Sequence, residues 1–147
     1  MDDETRVPGL RQALAAYSRA RSDALAVARR ELNIGEGDAK ALLHIADHPG
    51  IRPTQLREYL GITAAGVTAL IDRLVDRGVV RRDVDPADRR VNRITLTIDI
   101  AEDPWVRLTR FDSDFDHATL DADEADVLRF AELLDSLVTV TLDLGRR

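Results

Sequence analysis

The stretch whose reading decides the fold runs from Gly61 to Thr97, GITAAGVTALIDRLVDRGVVRRDVDPADRRVNRITLT. Thr63 offers a side-chain oxygen where the first N–H groups of a helix lack partners, so it reads as an N-cap. From there Val67, Leu70, Ile71, Leu74 and Val75 step by three and four residues, the spacing of a single apolar stripe. Gly78 supplies the C-cap. Beyond it Val79 to Val84 and Val91 to Ile98, both rich in β-branched residues, flank Asp85-Pro86-Ala87-Asp88, which is hairpin composition. A helix thus feeds directly into a two-stranded ribbon.

Working outward, Pro53 opens a short helix carrying Leu56 and Leu60, and Leu60-Gly61-Ile62-Thr63 turns it into the next. Upstream, Leu10, Leu14, Tyr17, Ala24, Ala28 and Leu32 recur at helical spacing, predicting a long helix from Pro8 to Leu32 that Pro8 opens. Asn33-Ile34-Gly35 breaks it, and a second helix through Ala39, Leu42, Leu43 and Ala46 ends at His48-Pro49-Gly50. Downstream, Asp103-Pro104 predicts the start of a fifth helix reaching about Ala118, with Trp105, Leu108, Phe111 and Phe115 on one face. Asp123 within LDADE caps a sixth that carries Val127, Leu128, Ala131, Leu134, Leu137 and Val138. The fold class expected is mainly α with a small β-wing (α+β). One domain spans 1–147, with a winged helix-turn-helix lobe at 36–98 and helices at 8–32 and 103–144 outside it.

The chain has 147 residues and is 44% hydrophobic, which suits one compact domain. With only 4% aromatic residues, helices packed through Ala, Leu and Val are favoured over an all-β sandwich. There is no apolar run long enough to span a membrane, and the acidic start does not read as a secretory signal, so the expected location is cytoplasmic. The absence of cysteine excludes a disulfide framework, thiolate metal ligation and thiol redox sensing.

A formal net charge of -6 argues against a nucleic-acid binder until its distribution is read. Between Arg52 and Arg93 nine arginines face six acids, whereas between Asp99 and Asp143 thirteen acids face three arginines. The middle of the chain is basic and its last third acidic. Short helix, tight turn, helix and ribbon is a geometry in which one helix crosses the DNA backbone, the next enters the major groove and the ribbon reaches a minor groove. Asp88, Arg89 and Arg90 sit at or just past the ribbon tip. A guanidinium suits the negative potential of a narrow minor groove, and Asp88 is placed to orient Arg90 by a charge-assisted hydrogen bond. The alternative is an ordinary surface ion pair.

In the helix from Thr63, the apolar stripe leaves Thr63, Ala64, Ala65, Thr68, Ala69, Asp72 and Arg73 outward. Thr68 can meet a base or phosphate, Ala64 and Ala65 can touch thymine methyls, and Arg73 and Arg77 can neutralise phosphates.

The run from Gly61 to Thr97 resembles the MarR (multiple antibiotic resistance regulator) family. Asp88, Arg90, Leu96 and Thr97 fall on its wing signature of Asp-x-Arg, five residues, then Leu-Thr, and VTALIDRLVDRGVVRR is similar to its recognition helix. The resemblance implies a homodimer joined by the N- and C-terminal helices, reading an inverted repeat of double-stranded DNA. It also implies a small-molecule effector bound between those helices and the lobe; Tyr17, His44, Trp105 and Phe111 are candidate lining residues, with ordinary core membership as the alternative for each. Ala69 stands where a large polar residue is common in the family, which shifts readout toward Arg90, Gln55, Arg52 and phosphate contacts. After Leu96-Thr97 the chain departs from the family pattern, so either the last strand extends or a loop intervenes.

His44 and His48 lie four apart on one helical face and are candidate metal ligands with Asp47 or His117; without cysteine or a HExxH run they read as solvated or capping histidines. No Gly-rich phosphate loop, nucleophile elbow or carboxylate pair points to an enzyme or a cofactor. Two functions are therefore compared: a DNA-binding transcriptional regulator, expected to be a ligand-responsive repressor, and a winged-helix protein-interaction module with weak or no DNA binding.

Overall fold

The computed structural model describes residues 3–146, and the side chains of residues 8–146. The order of elements is α1 (Asp3–Leu32), α2 (Glu36–Asp47), α3 (Pro53–Leu60), α4 (Ala64–Asp76), β1 (Val80–Val84), β2 (Asn92–Leu96), a short 3₁₀ turn (Trp105–Leu108), α5 (Arg110–Thr119) and α6 (Glu124–Leu144). Six helices and one antiparallel two-stranded sheet give the expected mainly-α class with a wing.

The chain divides into two compact units, one ending at Phe111 and the other starting at Asp112. In the first, Leu42 and Ile45 of α2, Leu56 of α3, Ile71 and Leu74 of α4 and Ile94 of β2 are fully buried. Each comes from the apolar stripe of its own element, so the stripes meet in one core. Glycine closes both turns that matter here. Gly61 after α3 and Gly78 after α4 have φ of 64° and 71°, where a side chain would be strained. In each case the following N–H reaches back five residues, Ile62 to Arg57 O at 3.3 Å and Val79 to Leu74 O at 3.1 Å, the pattern of a Schellman cap. Thr63 accepts the Gly66 N–H at 3.0 Å, an N-cap of about 1 kcal/mol.

β1 pairs with β2 in a register that sets Val80 opposite Leu96 and Val84 opposite Asn92. The segment between α2 and α3 joins this sheet through an Ile51–Ile94 bridge, with Ile94 N–H to Ile51 O at 2.9 Å and Gly50 N–H to Ile94 O at 3.0 Å. The wing is thereby bonded to the entry of α3 rather than hanging from α4 alone.

Two boundaries differ from expectation, and a third is decided between its two alternatives. α1 begins at Asp3, with Pro8 inside it; the ring-locked φ is helical, so proline costs a main-chain bond without ending the helix. After Leu96 the chain leaves the sheet and a loop intervenes. The fifth helix does not start at Asp103-Pro104: Trp105–Leu108 is a 3₁₀ turn, and α5 starts only at Arg110. Burial of Leu108 and packing of Trp105 against the lobe core set the chain path there, overriding the local capping pattern.

In the second unit, Asp123 caps α6 by accepting the Asp126 N–H at 3.1 Å, as its sequence suggests. Leu128, Phe130, Leu133, Leu137, Val138, Val140, Leu142 and Leu144 of α6 are exposed.

Candidate nucleic-acid interface

The outer face of α4 carries Thr63, Ala64, Ala65, Thr68 and Ala69 side by side, all exposed, while Val67, Leu70, Ile71 and Leu74 are buried beneath them. Methyl groups dominate this face. The Thr68 hydroxyl donates to Ala64 O at 3.0 Å, and the Thr63 hydroxyl oxygen accepts the Gly66 N–H that caps the helix. Gln55 is exposed near the start of α3, and its side-chain oxygen accepts the Arg52 N–H at 3.1 Å. Its amide NH₂ keeps two donors for an outside partner.

Sorting the arginines of the lobe by partner separates two populations. Arg73 clamps Asp38, whose side chain is buried, with Nε donating to Oδ2 at 3.0 Å and Nη2 to Oδ1. Arg77 donates to the carbonyls of Asn33 and Leu32 at 2.7 and 3.0 Å, closing the end of α1. Arg81 pairs with Asp83, and Arg82 with Asp72. Arg73 and Arg77, read from the sequence as phosphate contacts, thus spend their guanidiniums on the protein. Arg57, Arg89 and Arg90 have no ion pair among the described residues. Arg57 gave no sequence signal beyond its count in the basic stretch.

The wing loop is built on two aspartates. Asp88 accepts the Arg90 N–H at 3.0 Å, and Val91 N–H donates to Asp88 O at 2.9 Å. Asp88 therefore orients Arg90 through the main chain, not through the guanidinium, which stays exposed at the tip. Asp85, only 3% exposed, was not singled out in the sequence because Asp-Pro is ordinary turn chemistry. It accepts Ala87 N–H at 2.9 Å and Arg93 Nε at 2.8 Å, with Arg52 Nη2 at 3.9 Å, while Arg93 Nη1 donates to Gly50 O at 3.2 Å. One buried carboxylate so ties the wing to the start of α3.

The Ala87 N–H foremost, then the hydrogen bond and charge of Arg93 and the charge of Arg52, hold the Asp85 carboxyl below its ordinary value of 3.8 against the opposing effect of burial. A depressed carboxylate stabilises the fold above the unfolded value and loses that contribution as pH falls through the folded one. Asp85→Asn is accordingly expected to flatten the fall in unfolding midpoint as pH drops below the ordinary carboxylate value, read by urea titration; an unchanged slope would remove Asp85 from the acid response.

Of the four residues read as an effector pocket, Tyr17 and Phe111 are in ring contact, with centroids 5.6 Å apart. His44 stacks on Tyr59 at 3.6 Å, and Trp105 packs on the lobe core. His48 acts as the C-cap of α2, its Nδ1 3.0 Å from His44 O.

Two helices joined by a glycine corner, with a hairpin bonded to the entry of the first, define a winged helix-turn-helix protein. Residues 37–91 match the model of the MarR family. The transcriptional regulator HosA of Escherichia coli O111:H- is 43% identical over 53 residues, 36% of this chain and 39% of that relative, so the match spans well under half of the relative's length. Over nearly the whole chain the fold is that of MarR-family structures. A MarR family protein from Bacillus stearothermophilus superposes with a TM-score of 0.68 at 17% identity, covering 97% of this chain and 99% of that one. A mutant of S. aureus MepR bound to an oligodeoxyribonucleotide gives 0.60 at 16% identity, covering 90% and 97%. Among the described residues no helix is long and apolar enough to cross a membrane.

Proposed function

We propose that the chain is a sequence-specific, DNA-binding transcriptional regulator, a ligand-responsive repressor that binds an inverted repeat as a homodimer. The observation that carries this reading is the sorting of the lobe arginines: most are neutralised internally, while Arg89 and Arg90 project from the wing tip without a protein partner among the described residues. Exposed guanidiniums on a rigidly anchored hairpin are suited to phosphates and a narrow minor groove. The α4 face, made of Thr63, Ala64, Ala65, Thr68 and Ala69, is shallow enough to lie close to thymine methyls in the major groove. Arg52, Gln55 and Arg57 add donors along α3, and Arg73 and Arg77 act mainly by holding α4 in place. Such a regulator works in the cytoplasm, and the DNA-bound relative supports the reading as an analogue.

The test is selection of bound duplexes from a random pool, followed by titration at several salt concentrations. A pseudo-palindromic consensus and a negative slope of log K against log salt are expected. No enrichment and no salt dependence would replace this reading with a protein-interaction module.

The dimer half of the proposal rests on the row of exposed apolar residues along α6, together with α1 and α5 as its frame. Leu133→Glu combined with Leu137→Glu is expected to halve the solution mass by light scattering. A parent chain already monomeric at micromolar concentration would overturn it. The effector belongs to the same reading, with Tyr17 and Phe111 as its aromatic contacts and Trp105 and His44 as further contacts to be tested by substitution.

A further inference from the structure

We infer that Arg29 and Arg30, at the C-terminal end of α1, form a binding site for a phosphate group. A cavity of about 300 Å³ lies there, lined by Ala26, Arg29, Arg30, Asn33 and Ile34. Arg29 Nε is buried, and it is a donor without a hydrogen-bond partner among the described residues. Buried donors in native folds are almost always satisfied, so Arg29 is an arginine whose hydrogen-bonding capacity the described residues do not use up, on a residue that also lines the cavity.

Neither guanidinium is in an ion pair among the described residues. Glu36 pairs with Lys40 at 2.7 Å and feels the Arg29 charge only as a weaker effect after that of Lys40. The end of a helix ordinarily repels anions through its free carbonyls. Here four carbonyls at that end accept hydrogen bonds: Arg29 O from Ile34 N–H at 3.0 Å, Arg30 O from Asn33 N–H at 3.2 Å, and Leu32 O and Asn33 O from Arg77. The Arg77 guanidinium adds positive charge at the same end.

Two arginines and an asparagine lining one cavity carry more donors than the two oxygens of a monocarboxylate can use, whereas the three oxygens of a phosphate group suit two planar forks. Ala26 and Ile34 give the cavity an apolar wall, which accepts a short carbon chain. The ligand chemistry is therefore a phosphate group, free or carried by a small monoester.

The site is tested on the full chain by following its arginine Nε–H resonances during titration with inorganic phosphate, with n-butyl phosphate and with acetate, against chloride at equal ionic strength. A saturable shift of the Arg29 signal with phosphate, and none with chloride, is expected. Tighter saturation by butyl phosphate assigns the monoester as the source, and equal or weaker saturation assigns the free anion. Arg29→Gln with Arg30→Gln is expected to abolish saturation. Should that variant not fold, Arg30→Gln alone is expected to weaken binding by about tenfold, the loss of one charge-assisted hydrogen bond. A linear drift shared with chloride, acetate binding as tight as phosphate, or saturation unaltered in the folded variants would overturn the inference. None of these outcomes depends on whether the wing reads DNA.

Discussion

Leu74→Ala is expected to destabilise the lobe by about 2–5 kcal/mol, the range for truncating a buried leucine and leaving part of its volume empty. Leu74 is wholly buried at the last turn of α4, and its carbonyl also receives the Val79 N–H that closes the helix. The cavity would open among Leu42, Ile45, Leu56 and Ile71, drawn from three helices whose backbones cannot all move in to fill it. Against a typical domain stability of about 5–15 kcal/mol, this is a large fraction. The measurement is urea unfolding followed by circular dichroism. Val84→Ala provides the contrast, since Val84 is 56% exposed and should change stability by no more than about 0.5 kcal/mol. Equal losses in the two variants would mean that the core is not where the buried stripes converge.

The second large effect concerns binding. Arg90→Ala is expected to weaken duplex binding by about 1–3 kcal/mol, or roughly five- to more than a hundredfold, the scale of one good groove contact. Arg89→Ala is expected to act more evenly across sequences and to lower the salt slope by about 1, the mark of a lost phosphate contact. Because Asp88 holds the Arg90 main chain and not its guanidinium, Asp88→Ala should blur the loop conformation and weaken binding less than Arg90→Ala. Competitive binding at two salt concentrations reads all three. Unchanged affinity and slope for Arg90→Ala would argue against a wing that enters the minor groove. Arg73→Ala makes a useful counter-case: its main effect is expected on stability, because removal of the guanidinium leaves the buried Asp38 without its clamp, at a cost of about 1–3 kcal/mol.

Much of the lobe is legible from residue order because its signals are local. An N-cap threonine, a stripe at three- and four-residue spacing, glycines at αL positions and an Asp-Pro turn between β-branched runs each act through neighbours in the chain. The cap of α6 is legible for the same reason. What escaped was decided by contacts between residues far apart. Arg73 meets Asp38 across 35 positions, Arg77 meets Asn33 across 44, and Arg93 meets Gly50 across 43. Nothing in their local sequence separates an arginine that will clamp a buried aspartate from one that will stay in solvent.

The fifth helix failed as a local reading for a related reason. Asp103-Pro104 has the composition of a helix start, but Leu108 and Trp105 gain more by packing on the lobe than the chain gains from a first helical turn there. By itself, the sequence determined the order of helices, the helix-turn-helix corner, the wing and the position of Arg90 at its tip, because capping and periodicity are properties of neighbouring residues. Only the tertiary structure decided which arginines remain free, that Asp85 bonds the wing to α3, and that Arg29 lines a cavity with an unmatched donor. Those outcomes depend on desolvation and on pairing across the fold, which no run of neighbouring residues specifies.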